Sequence, residues 1–244
     1  AFVIADDRGA VGTIKEGDSV CFFNFRGDRG LEITRAFEEE QFTAFDRRFI
    51  SVRYAGMMQY DGDLKLPNRF LVDPPMIDRS LGAYLAYNGV KQYACSETQK
   101  FGHVTYFWNG NRSGYFDESI ELYEEIPSDL VPFEQRPWMK AAEITDATLA
   151  HLAQGKTSYA RINYANGDMV GHTGDLHSTI LSLEALDLSL GRLLKGVKKL
   201  EGAVFITADH GNSEQMFERD KKTGEVKVGH TGKPKALTSH TLNP

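Results

Sequence analysis

The sequence predicts an α/β fold, because short apolar runs typical of strands alternate with helical patterns along its 244 residues. The continuous apolar run at 203–208 is typical of a strand buried in a parallel sheet. The clearest helical signal is a row of apolar residues spaced by three and four, at Leu183, Leu186, Leu190, Leu193 and Val197. Parallel sheets bind ligands at their carboxyl edge, so functional residues are expected in the turns after these strands.

Composition and charge exclude several functional classes. The 28 lysines and arginines against 34 aspartates and glutamates give a formal charge of −6, which argues against a general nucleic-acid or membrane-surface binder. No apolar stretch is long enough to span a membrane. Two cysteines, Cys21 and Cys95, are too few for a disulfide scaffold and suit a reducing compartment, so we expect a cytoplasmic protein. The start at Ala1, without methionine, leads us to expect a piece of a longer protein.

The first third of the chain contains two strand patterns and two helical ones. A strand is predicted at 20–25, followed by the polar turn 26–30 and by a helix whose buried face would comprise Leu31, Ile33, Ala36 and Phe37. A second strand is predicted at 49–54. The helix predicted at 78–88 would end at Gly89 and bury Leu81, Tyr84 and Leu85.

The middle of the chain predicts strands at 93–95 and 103–108, and then the pattern changes. The acidic stretch 117–138 carries three prolines and cannot form one regular element, so we interpret it as the link between two domains. Beyond it the sequence predicts a helix at 140–153 that ends at Gly155, a strand at 159–164 and a glycine-rich loop at 166–175.

Three cations follow predicted strands and are candidates for binding an anion. Arg26 and Arg29 lie three residues apart on a glycine-containing turn before a helix, and Lys100 follows a later strand. Forked guanidinium donors at such a turn can bind a phosphate or a carboxylate. The alternative is that both arginines are solvated loop residues that pair with Asp28 or Glu32.

A second polar cluster contains the residue types that bind metals. Asp168 and His172 stand four residues apart, and Asp209 and His210 directly follow the apolar run at 203–208; His240 lies close to the end of the chain. Carboxylates and imidazoles without thiolates suit Mn²⁺, Zn²⁺, Co²⁺ or Mg²⁺. A single such residue in a loop is more often a cap or turn residue. The other histidines, at 103, 151, 177 and 230, lack comparable neighbours and are expected to be structural.

Five motifs in a fixed order give the sequence a family resemblance: VCFFNFRGDR at 20–29, SETQKFGHVT at 96–105, NGDMVGHTG at 166–174, EALD at 184–187 and ITADHGN at 206–212. Together they resemble the cofactor-independent (2,3-bisphosphoglycerate-independent) phosphoglycerate mutases, and the segment 111–136 is similar to the plant and kinetoplastid type. The resemblance spans nearly the whole chain.

The resemblance implies an architecture of two α/β domains. Members of the family have an alkaline-phosphatase-like phosphatase domain that is split in sequence by an inserted transferase domain. On this basis we expect residues 1–116 to be the end of the transferase domain, 117–138 a linker and hinge, and 139–244 the C-terminal segment of the phosphatase domain. The family's nucleophilic serine and its first metal-binding aspartate would lie outside this chain, so Ser213 is not assigned that role.

The resemblance also implies an activity, the interconversion of 3-phosphoglycerate and 2-phosphoglycerate through a phosphoserine enzyme with two divalent metal ions. Mn²⁺ is the expected ion, with Co²⁺ or Mg²⁺ as alternatives, and no 2,3-bisphosphoglycerate is expected to be needed. Asp168, His172 and His240 would bind one ion, and Asp209 and His210 the second. Arg26 and Lys100 would be catalytic and, with Arg29, would bind the phosphate and carboxylate of the substrate.

Two other functions remain open from the sequence. A metal-dependent phosphatase, or another phosphomutase of the alkaline-phosphatase superfamily, would share the metal motifs but not the arginine and Lys100 motifs. A protein that binds anions or metals without turnover is the other alternative, and we expect the 244-residue chain alone to be inactive. A monomer without nucleic-acid or membrane partners is expected.

Overall fold

The computed structural model describes residues 3–25, 30–61, 64–73, 77–230 and 232–243. The chain divides into two compact units, Ala1–Met76 and Ile77–Pro244. The domain boundaries that the resemblance implies, at 116/117 and 138/139, remain predictions, because units defined by contacts need not coincide with the domains of a family.

The first unit contains a small hairpin and a parallel three-stranded sheet. Its elements in chain order are β1 (Ala5–Asp6), β2 (Gly9–Ala10), β3 (Ser19–Phe22), α1 (Gly30–Glu38), β4 (Arg53–Met58) and β5 (Phe70–Val72). The sheet order is β3-β4-β5. α1 packs on β4 through the stacked rings of Phe37 and Tyr54, whose centroids are 5.0 Å apart. The buried Thr34 hydroxyl lies 3.0 Å from the Tyr54 hydroxyl, so polar and apolar contacts join the same two elements.

The second unit contains the candidate metal ligands. Its elements in chain order are α2 (Leu81–Tyr87), β6 (Gln92–Glu97), α3 (Phe101–Val104), β7 (Glu121–Ile126), α4 (Ala141–Leu152), β8 (Tyr159–Asn163), α5 (Asn166–Gly171) and α6 (Leu176–Lys199). β6 is the middle strand of a parallel sheet of order β7-β6-β8 and is buried along its whole length. A short 3-10 turn, Thr98–Lys100, joins β6 to α3 and carries Lys100 to the carboxyl end of the sheet.

The core of the second unit lies between β6 and α4. Tyr93, Cys95 and Ile144 are fully buried there and pack against partly buried apolar side chains from β8 and α4. Ring stacking adds to this contact, since the Tyr93 and His151 rings lie 4.2 Å apart. This core sets the position of the strand end from which Lys100 follows.

Several predicted elements are confirmed. Strands overlap the ranges predicted at 20–25, 93–95 and 159–164, and helices lie within those predicted at 78–88 and 140–153. Gly89 and Gly155 have positive φ angles of 68° and 67° where the preceding helices end, which is the conformation that favours glycine there. Among the described residues, no helix is both long and apolar enough to cross a membrane.

The prediction of a strand at 203–208 is wrong for this structure. The segment has no regular secondary structure, Phe205 is 95% exposed and Ile206 is 64% exposed. In the described part of the chain, no backbone hydrogen bond joins this segment to a strand. An apolar run forms a buried strand only beside a partner strand, and none of the described strands pairs with it.

The strand predicted at 103–108 is also wrong, and His103 lies in α3. The chain continues in turns after this helix, with the Phe107 amide donating to the Gly102 carbonyl at 2.9 Å. A six-residue apolar run does not distinguish a strand from a short buried helix, because neither period can be read over so few residues.

The glycine-rich loop predicted at 166–175 begins instead with α5, which covers Asn166–Gly171. A glycine is required sterically at the end of this helix, because a Cβ on Gly171 would lie 2.8 Å from Asn212 Cγ. Glycine therefore allows a close approach between two segments here and does not mark a loop.

Some predicted buried faces are wrong in detail. On α2 the small residues Gly82, Ala83 and Ala86 are buried, while Leu81 and Tyr84 are exposed. Ile33 on α1 and Leu183 on α6 are exposed too, and Thr34 and Ser182 are buried near them.

Two predicted bounds also differ from the structure. The strand predicted at 49–54 corresponds to β4, which begins at Arg53. In the predicted link 117–138, β7 pairs with β6, so part of that stretch belongs to the sheet.

Candidate metal centre

The site begins with α5, which presents a carboxylate and an imidazole on one side. Asp168 and His172 are four residues apart, the spacing that places two side chains on the same helical face. His172 Nε2 lies 3.0 Å from Asp168 Oδ1. The helix follows β8 directly, so both side chains lie beyond the carboxyl end of that strand, at the edge where the sequence predicted ligand binding.

Two later segments bring further imidazoles to this carboxylate. Gly211 and Thr241 form an antiparallel bridge, with the Thr241 amide donating to the Gly211 carbonyl at 2.9 Å. The bridge places His210 beside His240, and their rings stack at 3.6 Å with an interplanar angle of 18°. His240 Nε2 is 3.1 Å from Asp168 Oδ1 and His210 Nε2 is 4.0 Å from the same oxygen.

The tautomer of His172 follows from its second ring nitrogen. Nδ1 lies 2.6 Å from the Thr238 carbonyl oxygen, which can only accept, so Nδ1 donates. In the neutral ring Nε2 then carries a lone pair, and it lies 2.9 Å from His240 Nε2 as well as close to the Asp168 carboxylate. The lone pairs of His172 Nε2 and Asp168 Oδ1 repel one another unless a proton or a metal ion lies between them.

The donor set fits a divalent metal ion. Ligand atoms of Asp168, His210 and His240 lie within 4.8 Å of one another. Burial and the neighbouring imidazoles lower the pKa of His240, which keeps its ring neutral and able to bind a metal near neutral pH. Carboxylate oxygen together with imidazole nitrogen suits Mn²⁺, Co²⁺ or Zn²⁺. Asp209, which is exposed, lies at the border of the cluster, with Oδ2 3.4 Å from His210 Nε2.

Lys100 pairs with the other oxygen of the central carboxylate. Its Nζ lies 2.5 Å from Asp168 Oδ2, and both side chains are largely buried. Burial alone would raise the pKa of Asp168, but the hydrogen bond and charge of Lys100, with further help from Asn212 and His172, lower it to about 2. Asp168 is therefore ionised throughout the neutral range.

The structure brings together six of the eight predicted site residues, within one unit: Lys100, Asp168, His172, Asp209, His210 and His240. Arg26 and Arg29 lie outside the described residues. The sequence grouped Lys100 with these arginines, and in the structure its ammonium group contacts the cluster of metal-ligand types.

Three residues near the cluster were not predicted. Lys100 and Asp209 both act electrostatically on His103, whose pKa is lowered mainly by burial, so this histidine lies close to the site. Thr238 contributes only its carbonyl oxygen, which no side-chain pattern could reveal. Asn212 donates to Asp168, and its place in the motif at 206–212 was the available signal.

Comparison with known proteins gives one family and a set of close relatives. The family model of the Metalloenzyme superfamily matches residues 14–244. The 2,3-bisphosphoglycerate-independent phosphoglycerate mutase of Trypanosoma brucei brucei is 58% identical over 245 residues, and enzyme 1 of that name from Arabidopsis thaliana is 53% identical over 246 residues. Both alignments cover all of this chain and 44% of the relative, so the chain spans less than half the length of these proteins.

A solved structure is similar over the same extent. The crystal structure of Leishmania mexicana phosphoglycerate mutase at low cobalt concentration superposes with a TM-score of 0.91 at 54% identity. The match covers 98% of this chain and 44% of that one.

Proposed function

The chain belongs to the Metalloenzyme superfamily, and from that premise we propose that the protein interconverts 3-phosphoglycerate and 2-phosphoglycerate without 2,3-bisphosphoglycerate. The observation that carries the proposal is the convergence of three imidazoles on one ionised carboxylate. Relatives that carry the mutase name at 53% and 58% identity support the reaction. Metal binding is supported by the family and by the relative studied with cobalt.

We assign the metal ligands as the resemblance implies. Asp168, His172 and His240 hold one divalent ion, and Asp209 and His210 take part in holding a second. When bound, such ions lower the pKa of an attacking hydroxyl group and neutralise charge on a phosphoryl group in transfer. Mn²⁺ is our first choice, as the resemblance implies, and the carboxylate ligands Asp168 and Asp209 suit it.

The chain's own residues prepare the site for this chemistry. Lys100 keeps the Asp168 carboxylate ionised, and the Thr238 carbonyl fixes the ring of His172 with its Nε2 lone pair facing the site. In this proposal, Lys100 also offers a positive charge to the phosphoryl group that is transferred. Arg26 and Arg29 are the proposed partners of the phosphate and the carboxylate of the substrate. The segment 117–138, apart from β7, which is paired in the sheet, is the proposed hinge that closes the site and keeps water away from glycerate.

The phosphorylated serine of the proposed reaction is not Ser213. Its hydroxyl group donates to the Gly167 carbonyl and braces the start of α5. A hydroxyl engaged in this way serves the structure. That the nucleophilic serine lies outside these 244 residues is what the family resemblance implies. Cytoplasmic location, a monomeric state and the absence of nucleic-acid or membrane partners remain predictions.

A phosphatase is the second candidate, because the same donor set can hydrolyse a phosphomonoester if water reaches the site. The full-length protein should be incubated with 3-phosphoglycerate and Mn²⁺ and followed by ³¹P NMR. Conversion to 2-phosphoglycerate with little inorganic phosphate supports the mutase. Phosphate release without isomerisation would establish the phosphatase, and binding without either product would leave the protein a non-catalytic binder.

A further inference from the structure

Asn212 joins the two parts of the chain that carry the metal-ligand types. It follows Asp209 and His210 by two to three residues, and its side chain reaches back to α5. Its Nδ2 donates to the Asp168 main-chain carbonyl at 3.2 Å and to Asp168 Oδ1 at 3.1 Å. Asn212 is 5% exposed, so water competes little for these bonds.

The orientation of this amide is set by its partners. Both groups of Asp168 that it contacts are acceptors, so the NH₂ end must face them. Asn212 Oδ1 is left buried without a hydrogen-bond partner among the described residues, and it lies against Gly171. An unpaired buried carbonyl oxygen is unfavourable and offsets part of what the two donated hydrogen bonds contribute to stability. The amide therefore stabilises the fold less than a fully paired one would, while it still holds Asp168 in place.

The contact acts on the oxygen that matters for metal binding. Asn212 donates to Oδ1 of Asp168, the oxygen that faces His172 and His240, while Lys100 contacts Oδ2. The carboxylate is therefore fixed at both of its oxygens by donors on different elements. Its plane cannot rotate without breaking one of these two contacts.

We propose that Asn212 is a positioning residue that orients the Asp168 carboxylate for metal binding and ties the segment that carries His210 to α5. This inference rests on the proposed metal-dependent function. Hydrogen-bond partners of metal ligands contribute about 10- to 100-fold to affinity in characterised sites. We expect loss of the Asn212 amide to have an effect of that size.

The test compares three variants of the full-length protein with Co²⁺ as the probe, by calorimetric titration and by the visible absorption of the bound ion. Asn212→Ala removes the amide. Gly171→Ala keeps the amide but adds a methyl group 2.8 Å from its Cγ, which must displace it. Thr145→Val is the control, because Thr145 is fully buried and, among the described residues, its hydroxyl hydrogen-bonds to Ala141 and Tyr164, neither of which is a metal-ligand type.

Asn212→Ala and Gly171→Ala should each weaken Co²⁺ binding, the first by about 10- to 100-fold, and alter the cobalt spectrum. Thr145→Val should lower the melting temperature of the metal-free protein and leave Co²⁺ affinity unchanged. If Asn212→Ala does not fold, Gly171→Ala decides the question. Unchanged Co²⁺ affinity and spectrum in the folded variants would overturn the inference, whereas a wild type that binds Co²⁺ without isomerising 3-phosphoglycerate would overturn only the proposed function.

Discussion

At the scale of single residues, Asp168 is the centre of the site because it contacts two kinds of neighbour. One oxygen faces imidazoles that can share a cation with it, and the other accepts from the Lys100 ammonium group. In the metal-free protein, the Lys100 ammonium group offsets the free-energy cost of burying the Asp168 carboxylate. The same charge keeps the carboxylate ionised and available as a ligand.

The pH dependence of stability should reveal this ionisation. The pKa of Asp168 is about 2 in the folded protein, below its usual value of 3.8, so its contribution is complete above about pH 5 and is lost as the pH falls toward 2. In EDTA, the free energy of unfolding of the wild type should fall between pH 5 and pH 2 by on the order of 2 kcal/mol more than that of Asp168→Asn. Parallel pH curves from urea denaturation would contradict the assignment.

Removing the lysine should leave the carboxylate buried without its cation. Lys100→Met should destabilise the metal-free protein by about 3 kcal/mol and raise the pKa of Asp168, because burial then acts without the opposing charge. Urea denaturation and carboxyl ¹³C NMR titration measure the two effects. Lys195→Met, at an exposed lysine of α6, should change stability by less than about 0.5 kcal/mol. Equal effects of the two variants would show that Lys100 is an ordinary surface lysine.

At the scale of elements, the sequence predicted where the site residues lie better than it predicted the secondary structure of the segments that carry them. The spacing of Asp168 and His172 placed both at one strand end, although the segment was predicted as a loop and forms α5. The glycines of this segment led to the incorrect prediction of a loop, because glycine here allows close packing, as at Gly171 against Asn212. The bridge between Gly211 and Thr241 joins segments 30 residues apart, which periodicity along the chain cannot detect. Residue type alone included His240 among the candidate ligands, and the resemblance was what assigned it to the same ion as Asp168 and His172.

α4 should control the stability of the second unit through its contact with β6. Ile144 is fully buried against Tyr93 and Cys95, so Ile144→Ala should cost about 3 kcal/mol by loss of burial and creation of a cavity. Ile144→Val should cost about 1 kcal/mol. Leu188→Ala, at a 71% exposed position of α6, should be nearly neutral in the same urea experiment. Similar losses for Ile144→Ala and Leu188→Ala would contradict this account of the core.

At the scale of the whole molecule, the run 203–208 is the largest difference between the sequence-based expectation and the structure. Its composition is that of a buried strand, yet its apolar side chains are exposed and its backbone has no strand partner in the described part. The relatives are more than twice as long as this chain. We therefore expect that a strand from outside these 244 residues pairs with the segment in the longer protein, as the split phosphatase domain implies.

Hydrogen exchange tests this expectation directly. Amides of 203–208 should exchange rapidly in the 244-residue chain and be protected by at least about 100-fold in a protein of the relatives' full length, because ladder hydrogen bonds then form. Amides of β6 should be protected in both and serve as the reference. Rapid exchange of 203–208 in the longer protein would contradict the pairing. The 244-residue chain should also show no mutase activity, since it would lack the nucleophilic serine.

The most direct test of the central claim is a coupled assay of the full-length protein that follows 3-phosphoglycerate conversion to 2-phosphoglycerate with no 2,3-bisphosphoglycerate added. The protein is assayed as prepared, after EDTA treatment, and after Mn²⁺ or Co²⁺ is restored. The account predicts activity that is abolished by EDTA, returns with either metal, and is reduced by at least about 100-fold in Asp168→Ala and His172→Ala. Activity that survives complete metal removal, or no conversion under any metal, would contradict it.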